Sequence, residues 1–470
     1  MLKKYRPDFS LTWTRKIILF FIISYIIWII PFLIFDTDTE QPLSLERITL
    51  KKIDNEIDPS LKNITLTTLT NIEDSDSTHS KIIDYDEKIN LKYCGEKTCN
   101  FIFPYEIPEQ ETRANVHLRS FTYLAESLNR IMVLPNVGHS RINCCNKFPF
   151  EFYYDLEKTR EMFPKVKFMT QETFKNWTNE LLIKPNTLHT WLIEDGRKDS
   201  YPKRNHKHIA IDPGDHYNEI QLNHLCLNQF NLNISDYIEF HSGKKFVKDF
   251  EHKMFDFLTK NLKDKKFSVI LIRHRCRKQM FPYIEEQIPF APHILNQAFE
   301  IQNKLEPYYC IHWRMEQGIP EKMPSCAIEL IKLINNLKKN QGINNIYLAT
   351  DYPISGKRAA SDTFHKVEKY HELAFQMLNS TFDLNTWISL NAFEKFRNNR
   401  YYDVEFKSSG IHGILDKLIC IQSNYFISGS KDCCRIRSTY TRLIEKSRIK
   451  LLEDGDMRLR NTLRRWKNPT

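Results

Sequence analysis

The sequence predicts an α/β protein, and three observations favour that class. Apolar runs typical of buried strands, such as Phe267–Ile272 and Asn345–Thr350, alternate with segments of helical periodicity such as Pro292–Leu305. The 470 residues, of which 41% are hydrophobic, can bury two sizeable cores. The alternating elements fall into two groups, 91–285 and 286–470. We therefore expect two Rossmann-like domains that face a cleft.

Each element of the two groups has its own local signal. In the first group, a helical pattern leads into an apolar run that ends at Pro135, and a strand precedes the turn Asp212-Pro213-Gly214. In the second group, the strands follow helical segments of period 3.6. The predicted elements, in chain order, are helix Arg119–Asn129, strands Arg130–Pro135, Lys207–Ile211 and Phe267–Ile272, helix Pro292–Leu305, strand Tyr308–His312, helix Cys326–Lys339, strand Asn345–Thr350, helix Ile411–Gln422, strand Tyr425–Ser428 and helix Ser438–Lys446.

A membrane anchor is predicted near the N-terminus. Residues 17–35 form a run of 19 residues without a charge, and a helix needs about 20 apolar residues to cross the hydrocarbon core. Basic residues precede this run and acidic residues follow it, which favours a cytosolic tail at 1–16 and a luminal body. The alternative is a cleaved signal peptide, but the run is long for one and no small-residue cleavage site follows. The polar segment 36–90 is interpreted as a stem.

Sequons and cysteines fit the lumen of the secretory pathway. Glycosylation sequons begin at Asn63, Asn176, Asn233 and Asn379. The 11 cysteines allow several disulfides in an oxidising compartment. Cys94 and Cys99 are predicted to form a local disulfide, because no second pair of zinc ligands at suitable spacing accompanies them. The expectation is a single-pass type II protein of the Golgi or the endoplasmic reticulum, with the choice between them open.

Composition argues against several classes of partner. The net charge is +10, but no zinc-finger or RNA-binding signature accompanies it, so no nucleic-acid partner is expected. Only 12 glycines occur, which disfavours a glycine-rich phosphate loop. Asp-x-Asp pairs lie at 74–76, 84–86 and 454–456, away from any convincing strand end. We therefore expect no metal in the functional site.

Polar side chains follow three strands of the second predicted domain. His312 and Arg314 end one strand, and a period of two puts them on the same face. Asp351 ends the next strand, and Ser438-Thr439-Tyr440 opens a helix whose free N–H groups can bind an anion. At the carboxyl edge of a parallel sheet these side chains face the ligand crevice. There, Arg314 can bind a diphosphate through two parallel hydrogen bonds, although each motif alone could also be an ordinary strand end or N-cap.

Taken together, these motifs resemble the protein O-fucosyltransferase superfamily, whose members transfer fucose from GDP-fucose on a GT-B fold. The family features appear here as His312-Trp313-Arg314, Ala349-Thr350-Asp351 and Ser438-Thr439-Tyr440. Leu124–Pro135 also resembles the family's first helix and second strand. The resemblance covers residues 100–450 and implies an acceptor-side domain at 91–285 and a nucleotide-sugar-binding domain at 286–470.

The resemblance also implies roles for individual residues. Arg314 would hold the diphosphate and stabilise the departing GDP. His312 would contact the nucleotide or the substrate, and Asp351 would help to bind guanosine. The segment Ser438-Thr439-Tyr440 would bind phosphate and flank the nucleotide. The family reaction inverts the anomeric centre and uses no metal in the site.

The chain departs from the family pattern before its first helix. The family usually has a Gly-rich loop there, whereas this chain has the glycine-free segment 108–115. Glu109 or Glu111 in that segment could be the general base for an acceptor hydroxyl. Arg113 and His117 could also face the cleft, and an exposed polar turn is the alternative for all four.

The leading hypothesis is a membrane-anchored inverting glycosyltransferase that transfers fucose from GDP-fucose to a Ser or Thr hydroxyl of a protein. Its first alternative keeps the fold but uses another nucleotide sugar or a glycan acceptor. A second alternative is a catalytically inactive membrane protein that binds a nucleotide or a carbohydrate. A third is a membrane-anchored scaffold that binds no nucleotide.

Overall fold

The computed structural model describes residues 75–193, 223, 225–241, 250–276, 286–354, 364, 366–394, 405, 409–435 and 438–469. All of them belong to the unit Asp74–Thr470. The predicted anchor at 17–35, the start of the stem and the predicted strand at 207–211 lie outside this part of the chain. Within it, no helix is both long and apolar enough to cross a bilayer.

Helices and strands alternate along most of the described chain, as the apolar periodicity predicts. The elements of the N-terminal lobe are α1 (Ser75–Cys94), β1 (Phe101–Ile107), α2 (Glu111–Ser127), β2 (Ile131–Leu134), β3 (Val137–Gly138), β4 (Arg141–Asn143), α3 (Leu156–Met162), β5 (Phe168–Thr170), α4 (Gln171–Glu180), β6 (Asn186–Ile193), β7 (Asn233–His241), α5 (Phe250–Lys263) and β8 (Val269–Arg275). Those of the C-terminal lobe are α6 (Pro292–Leu305), β9 (Tyr308–Trp313), α7 (Met323–Gln341), β10 (Asn345–Thr350), α8 (Lys369–Thr381), β11 (Leu384–Asn385), α9 (Ser409–Gln422), β12 (Tyr425–Ser428), α10 (Thr439–Glu453) and β13 (Arg464–Arg465).

Two separate sheets organise these lobes. The N-terminal sheet has eight strands, and its parallel strands lie in the order β5-β2-β1-β8-β6-β7. Strand β4 pairs antiparallel with β1, and β3 pairs antiparallel with β4. The C-terminal sheet has five strands in the order β11-β10-β9-β12-β13, all parallel. The predicted α/β class with two parallel-rich sheets is therefore confirmed, and it is consistent with a GT-B-like fold.

The central strand β9 shows how the C-terminal sheet is buried on both faces. All six of its residues are buried, as expected for a parallel strand covered on both sides by helices. Tyr309, Ile311 and Trp313 pack in one hydrophobic cluster, whereas Tyr308 and Cys310 pack in another that continues into the N-terminal lobe. His312 follows on the second of these faces.

Helix α1 packs against α4, so residues 75–90, which the sequence analysis placed in the stem, belong to a folded element. Trp177 Nε1 donates to Asn90 Oδ1 at 2.9 Å, and Lys92 pairs with Glu180 at 2.7 Å. The carboxylate of Asp86 accepts from the N–H groups of residues 182 and 183 at 2.9 and 3.1 Å. This aspartate of an Asp-x-Asp pair therefore has a structural role.

Eight of the 11 cysteines form disulfides. The predicted local bridge Cys94–Cys99 is present. The other three bridges join Cys145 to Cys226, Cys310 to Cys420 and Cys326 to Cys433. Four disulfides are typical of a protein of the secretory pathway.

Candidate functional site

The strand order of the C-terminal sheet locates a ligand crevice. Across the sheet the strands lie in the order β11-β10-β9-β12-β13. From β9 the chain adds β10 and β11 on one side and then returns to the other side for β12 and β13. The direction of the connections therefore reverses between β9 and β12. Open parallel sheets bind ligands outside the carboxyl ends of their strands at such a switch point. The residues after β9 and the loop between β12 and α10 meet at this position, through the backbone hydrogen bond from the Arg435 N–H to the Arg314 carbonyl.

Arg314 directly follows the end of β9, at this switch point. Its Nη2 donates to Glu316 Oε1 at 3.0 Å, and its Nη1 is 3.5 Å from Ser438 Oγ. Its Nε is buried and has no hydrogen-bond partner among the described residues. The side chain is 15% exposed. The guanidinium is thus held on one edge by a carboxylate, while part of its donor capacity remains for an anionic ligand.

His312 and Arg314 both contact the start of α10. His312 Nδ1 lies 3.1 Å from Thr441 Oγ1, and its ring packs on Tyr440 with centroids 5.0 Å apart. Burial, reinforced by the positive charge of Arg314, lowers the pKa of His312 to about 3. The imidazole is therefore neutral near pH 7, so it can donate or accept one hydrogen bond but contributes no charge.

The segment Ser438-Thr439-Tyr440 begins α10 as predicted. Ser438 is the N-cap, and its Oγ accepts from the Thr441 N–H at 3.4 Å. Thr439 is half-buried, and its hydroxyl makes no hydrogen bond within the described part of the chain. Tyr440 donates to the Gly413 carbonyl at 2.7 Å. Ser438 thus lies next to Arg314 at the helix start, whereas Tyr440 joins α10 to α9.

Asp351 supports the turn that carries Arg314. Its two carboxylate oxygens accept from the N–H groups of Met315 and Glu316 at 2.8 and 3.2 Å. Burial raises the pKa of Asp351 to about 7. These contacts make Asp351 a positioning residue for the turn that carries Arg314.

Glu111 is buried in an ion pair between the lobes. Its Oε2 accepts from Lys417 Nζ at 2.6 Å and its Oε1 from Tyr154 at 3.1 Å. The side chains of Glu111 and Lys417 are 4% and 1% exposed. A general base needs access to the substrate proton, and this carboxylate is committed to a lysine on α9.

The segment 108–115 is not the exposed polar turn that the sequence analysis considered as the alternative. α2 begins at Glu111 rather than at residue 119, so most of the segment 108–115 is helical. The start was missed because polar residues fill the first turns. Glu109 precedes the N-cap Gln110, is half-buried and has a φ of 76°, a conformation that favours glycine. His117, which the sequence analysis considered as a residue that could face the cleft, is buried against His274.

Sequence reasoning missed three residues of the site. Glu316 lies two residues after Arg314 and accepts from both Arg314 and Arg435. Lys417 lies in a mostly apolar helical segment, and a lysine at such a position is a signal of a buried partner. Nothing in the sequence pairs Arg435 with residue 316.

The buried Asp416 predicts how stability depends on pH. Tyr347 donates to its Oδ1 at 2.6 Å, and burial raises its pKa from 3.8 to about 7. The Asp416 carboxyl of the folded protein therefore keeps its proton up to about pH 7, whereas that of the unfolded chain releases its proton above about pH 4. The raised pKa stabilises the folded state at low pH, and this stabilisation is lost as the pH rises to about 7. We expect the unfolding free energy of Asp416→Asn to fall less between pH 4.5 and 7.5 than that of the wild type, and to exceed the wild-type value at pH 8 by up to about 4 kcal/mol.

Urea unfolding at a series of pH values measures this difference. Burial also raises the pKa of Asp351 to about 7, and Asp351 remains in the variant. The slope of the unfolding free energy against pH should therefore decrease rather than vanish. Asp454→Asn, at an exposed helix end, is the matched control and should keep the wild-type slope. Equal slopes for wild type and Asp416→Asn would contradict a buried, protonated carboxyl.

The fold is similar to that of solved fucosyltransferases at low sequence identity. POFUT1 in complex with GDP matches with a TM-score of 0.41 and 12% identity, over 78% of this chain and 98% of that chain. POFUT1 in complex with GDP-fucose matches with a TM-score of 0.42 and 11% identity, over 78% and 97%. The fucosyltransferase NodZ from Bradyrhizobium matches with a TM-score of 0.35 and 12% identity, over 74% and 92%.

No family model matches the chain, and no curated protein matches it. The functional roles that follow rest on the chain's own side chains.

Proposed function

We propose that this chain is an inverting glycosyltransferase that transfers fucose from GDP-fucose to a Ser or Thr hydroxyl of a protein. The observation that carries the proposal is Arg314 at the switch point of the C-terminal sheet, with a buried Nε that has no hydrogen-bond partner among the described residues. The N-cap Ser438 lies beside it. A guanidinium next to a helix start is a good site for a diphosphate.

The chemistry follows from where charge develops. As the bond between fucose and the β-phosphate breaks, negative charge builds up on the departing GDP, and Arg314 stabilises it. The neutral His312 offers a hydrogen bond beside the guanidinium without adding charge. The acceptor hydroxyl attacks from the opposite face of the sugar, which inverts the anomeric centre. Of the two carboxylates considered as general base, Glu109 fits better, because it is half-buried whereas the side chain of Glu111 is 4% exposed.

The acceptor is proposed to approach from the N-terminal lobe. The switch point of that sheet lies between β1 and β8, where Arg273 and Arg275 both pair with Glu106 at 2.7 and 3.2 Å. Polar groups at this edge suit a peptide or glycan. We also propose that residues 17–35 anchor the protein in the membrane of the Golgi or the endoplasmic reticulum, with the catalytic body in the lumen. The site is proposed to work without a metal.

Calorimetric titration of GDP into the full-length chain, purified in mild detergent, tests the donor site. We expect saturable binding of GDP and of GDP-fucose, and release of GDP when a Ser/Thr acceptor peptide is added. A folded chain that binds neither ligand would sink the proposal and favour the scaffold. Binding of GDP without turnover of any donor would favour the inactive binding protein. Turnover of a different nucleotide sugar would replace fucose as the donor.

A further inference from the structure

A second arginine, Arg435, lies beside Arg314. Arg435 belongs to the loop between β12 and α10, whereas Arg314 directly follows β9. We propose that Arg435 is a second diphosphate-binding residue of the donor site and that it acts with Arg314 as a pair of guanidinium groups around the nucleoside diphosphate. This inference rests on the proposed function.

The two arginines share one buried carboxylate. Glu316 Oε1 lies 3.0 Å from Arg314 Nη2 and 2.9 Å from Arg435 Nη1. The side chain of Glu316 is 1% exposed, whereas those of Arg314 and Arg435 are 15% and 36% exposed. The Glu316 carboxylate thus pairs with both guanidinium groups and brings them close together. Two neighbouring guanidinium charges favour an anion there.

The loop that carries Arg435 is fixed in place by covalent and polar contacts. The disulfide Cys326–Cys433 ties it to α7. Trp313 Nε1 donates to the Cys433 carbonyl at 2.9 Å, and the Arg435 N–H donates to the Arg314 carbonyl at 3.3 Å. Arg435 is therefore held next to Arg314 before any ligand arrives, which reduces the entropy lost on binding.

A nucleoside diphosphate fits this pair better than a monophosphate. Each guanidinium presents a planar fork that matches the oxygens of one phosphate group. Glu316 orients one edge of each fork and leaves the remaining N–H groups for a ligand. The α-phosphate and β-phosphate together offer more acceptor oxygens than a single phosphate, so each guanidinium can face its own phosphate group.

The test compares GDP and GMP binding to four full-length proteins: wild type, Arg435→Ala, Arg435→Lys and Arg442→Ala. Arg442 is an exposed arginine on α10 and is the matched control. We expect Arg435→Ala to weaken GDP binding about tenfold or more and GMP binding much less. Arg435→Lys should recover only part of the loss, because it keeps the charge but not the fork. Arg442→Ala should bind as the wild type does.

Each result bears on the inference in a different way. Equal GDP affinity for wild type and Arg435→Ala would overturn it and leave the donor site intact. Equal losses for GDP and GMP, with a lower melting temperature, would also overturn it, because they would mark Arg435 as structural. A wild type that binds no GDP would remove the proposed function itself and this inference with it.

Discussion

Replacing Arg314 with alanine is expected to reduce fucose transfer by about 100-fold or more. Removing one preorganised donor to a developing negative charge typically costs a factor of about 100 to 1000 in kcat. Arg314 Nη1 lies 3.5 Å from the Oγ of the N-cap Ser438, and Arg314 Nη2 donates to Glu316. Arg314→Lys should lose most of the same activity, because an ammonium group cannot copy the two parallel hydrogen bonds.

Steady-state kinetics with GDP-fucose and calorimetry with GDP distinguish a loss of transition-state stabilisation from a loss of ground-state binding. A loss mainly in kcat indicates contact with the transition state, whereas a rise in KM alone indicates uniform binding. Arg458→Ala is a suitable control, since Arg458 pairs with Asp456 at the surface. If Arg314→Ala transferred fucose and bound GDP as the wild type does, the assignment of Arg314 to the diphosphate would be wrong.

The C-terminal half of the fold was predictable because its signals are local. The predicted bounds of Pro292–Leu305, Asn345–Thr350 and Tyr425–Ser428 are those of α6, β10 and β12. Strands buried on both faces are continuous apolar runs, and the polar residues that follow them are therefore conspicuous. His312 and Arg314 were found in this way, and both contact the start of α10.

The rest of the site depends on contacts between distant parts of the chain. Glu111 and Lys417 are 306 residues apart, so the sequence presents two polar residues and no sign that they meet. The position of Arg435 depends on which cysteine pairs with Cys433, and pairing cannot be read from spacing. The positive φ of Glu109 is likewise invisible in a polar segment.

Replacing Lys417 with methionine is expected to lower the unfolding free energy by about 3–5 kcal/mol. Methionine keeps most of the length of the side chain, so the main loss is the charge that compensates Glu111. The carboxylate, 4% exposed, would then be buried without its ion-pair partner, and breaking a buried pair on one side typically costs this much. Urea unfolding of the purified chain measures the difference.

The double variant Glu111→Leu/Lys417→Met gives the sharper comparison. Replacing a whole buried ion pair with apolar side chains is often nearly neutral, so the double variant should be more stable than Lys417→Met alone. Lys88→Met breaks the exposed pair with Asp84 and should change stability little. A Lys417→Met protein as stable as the wild type would show that Glu111 is not held by the ion pair. Glu111 would then regain its place beside Glu109 as a candidate general base.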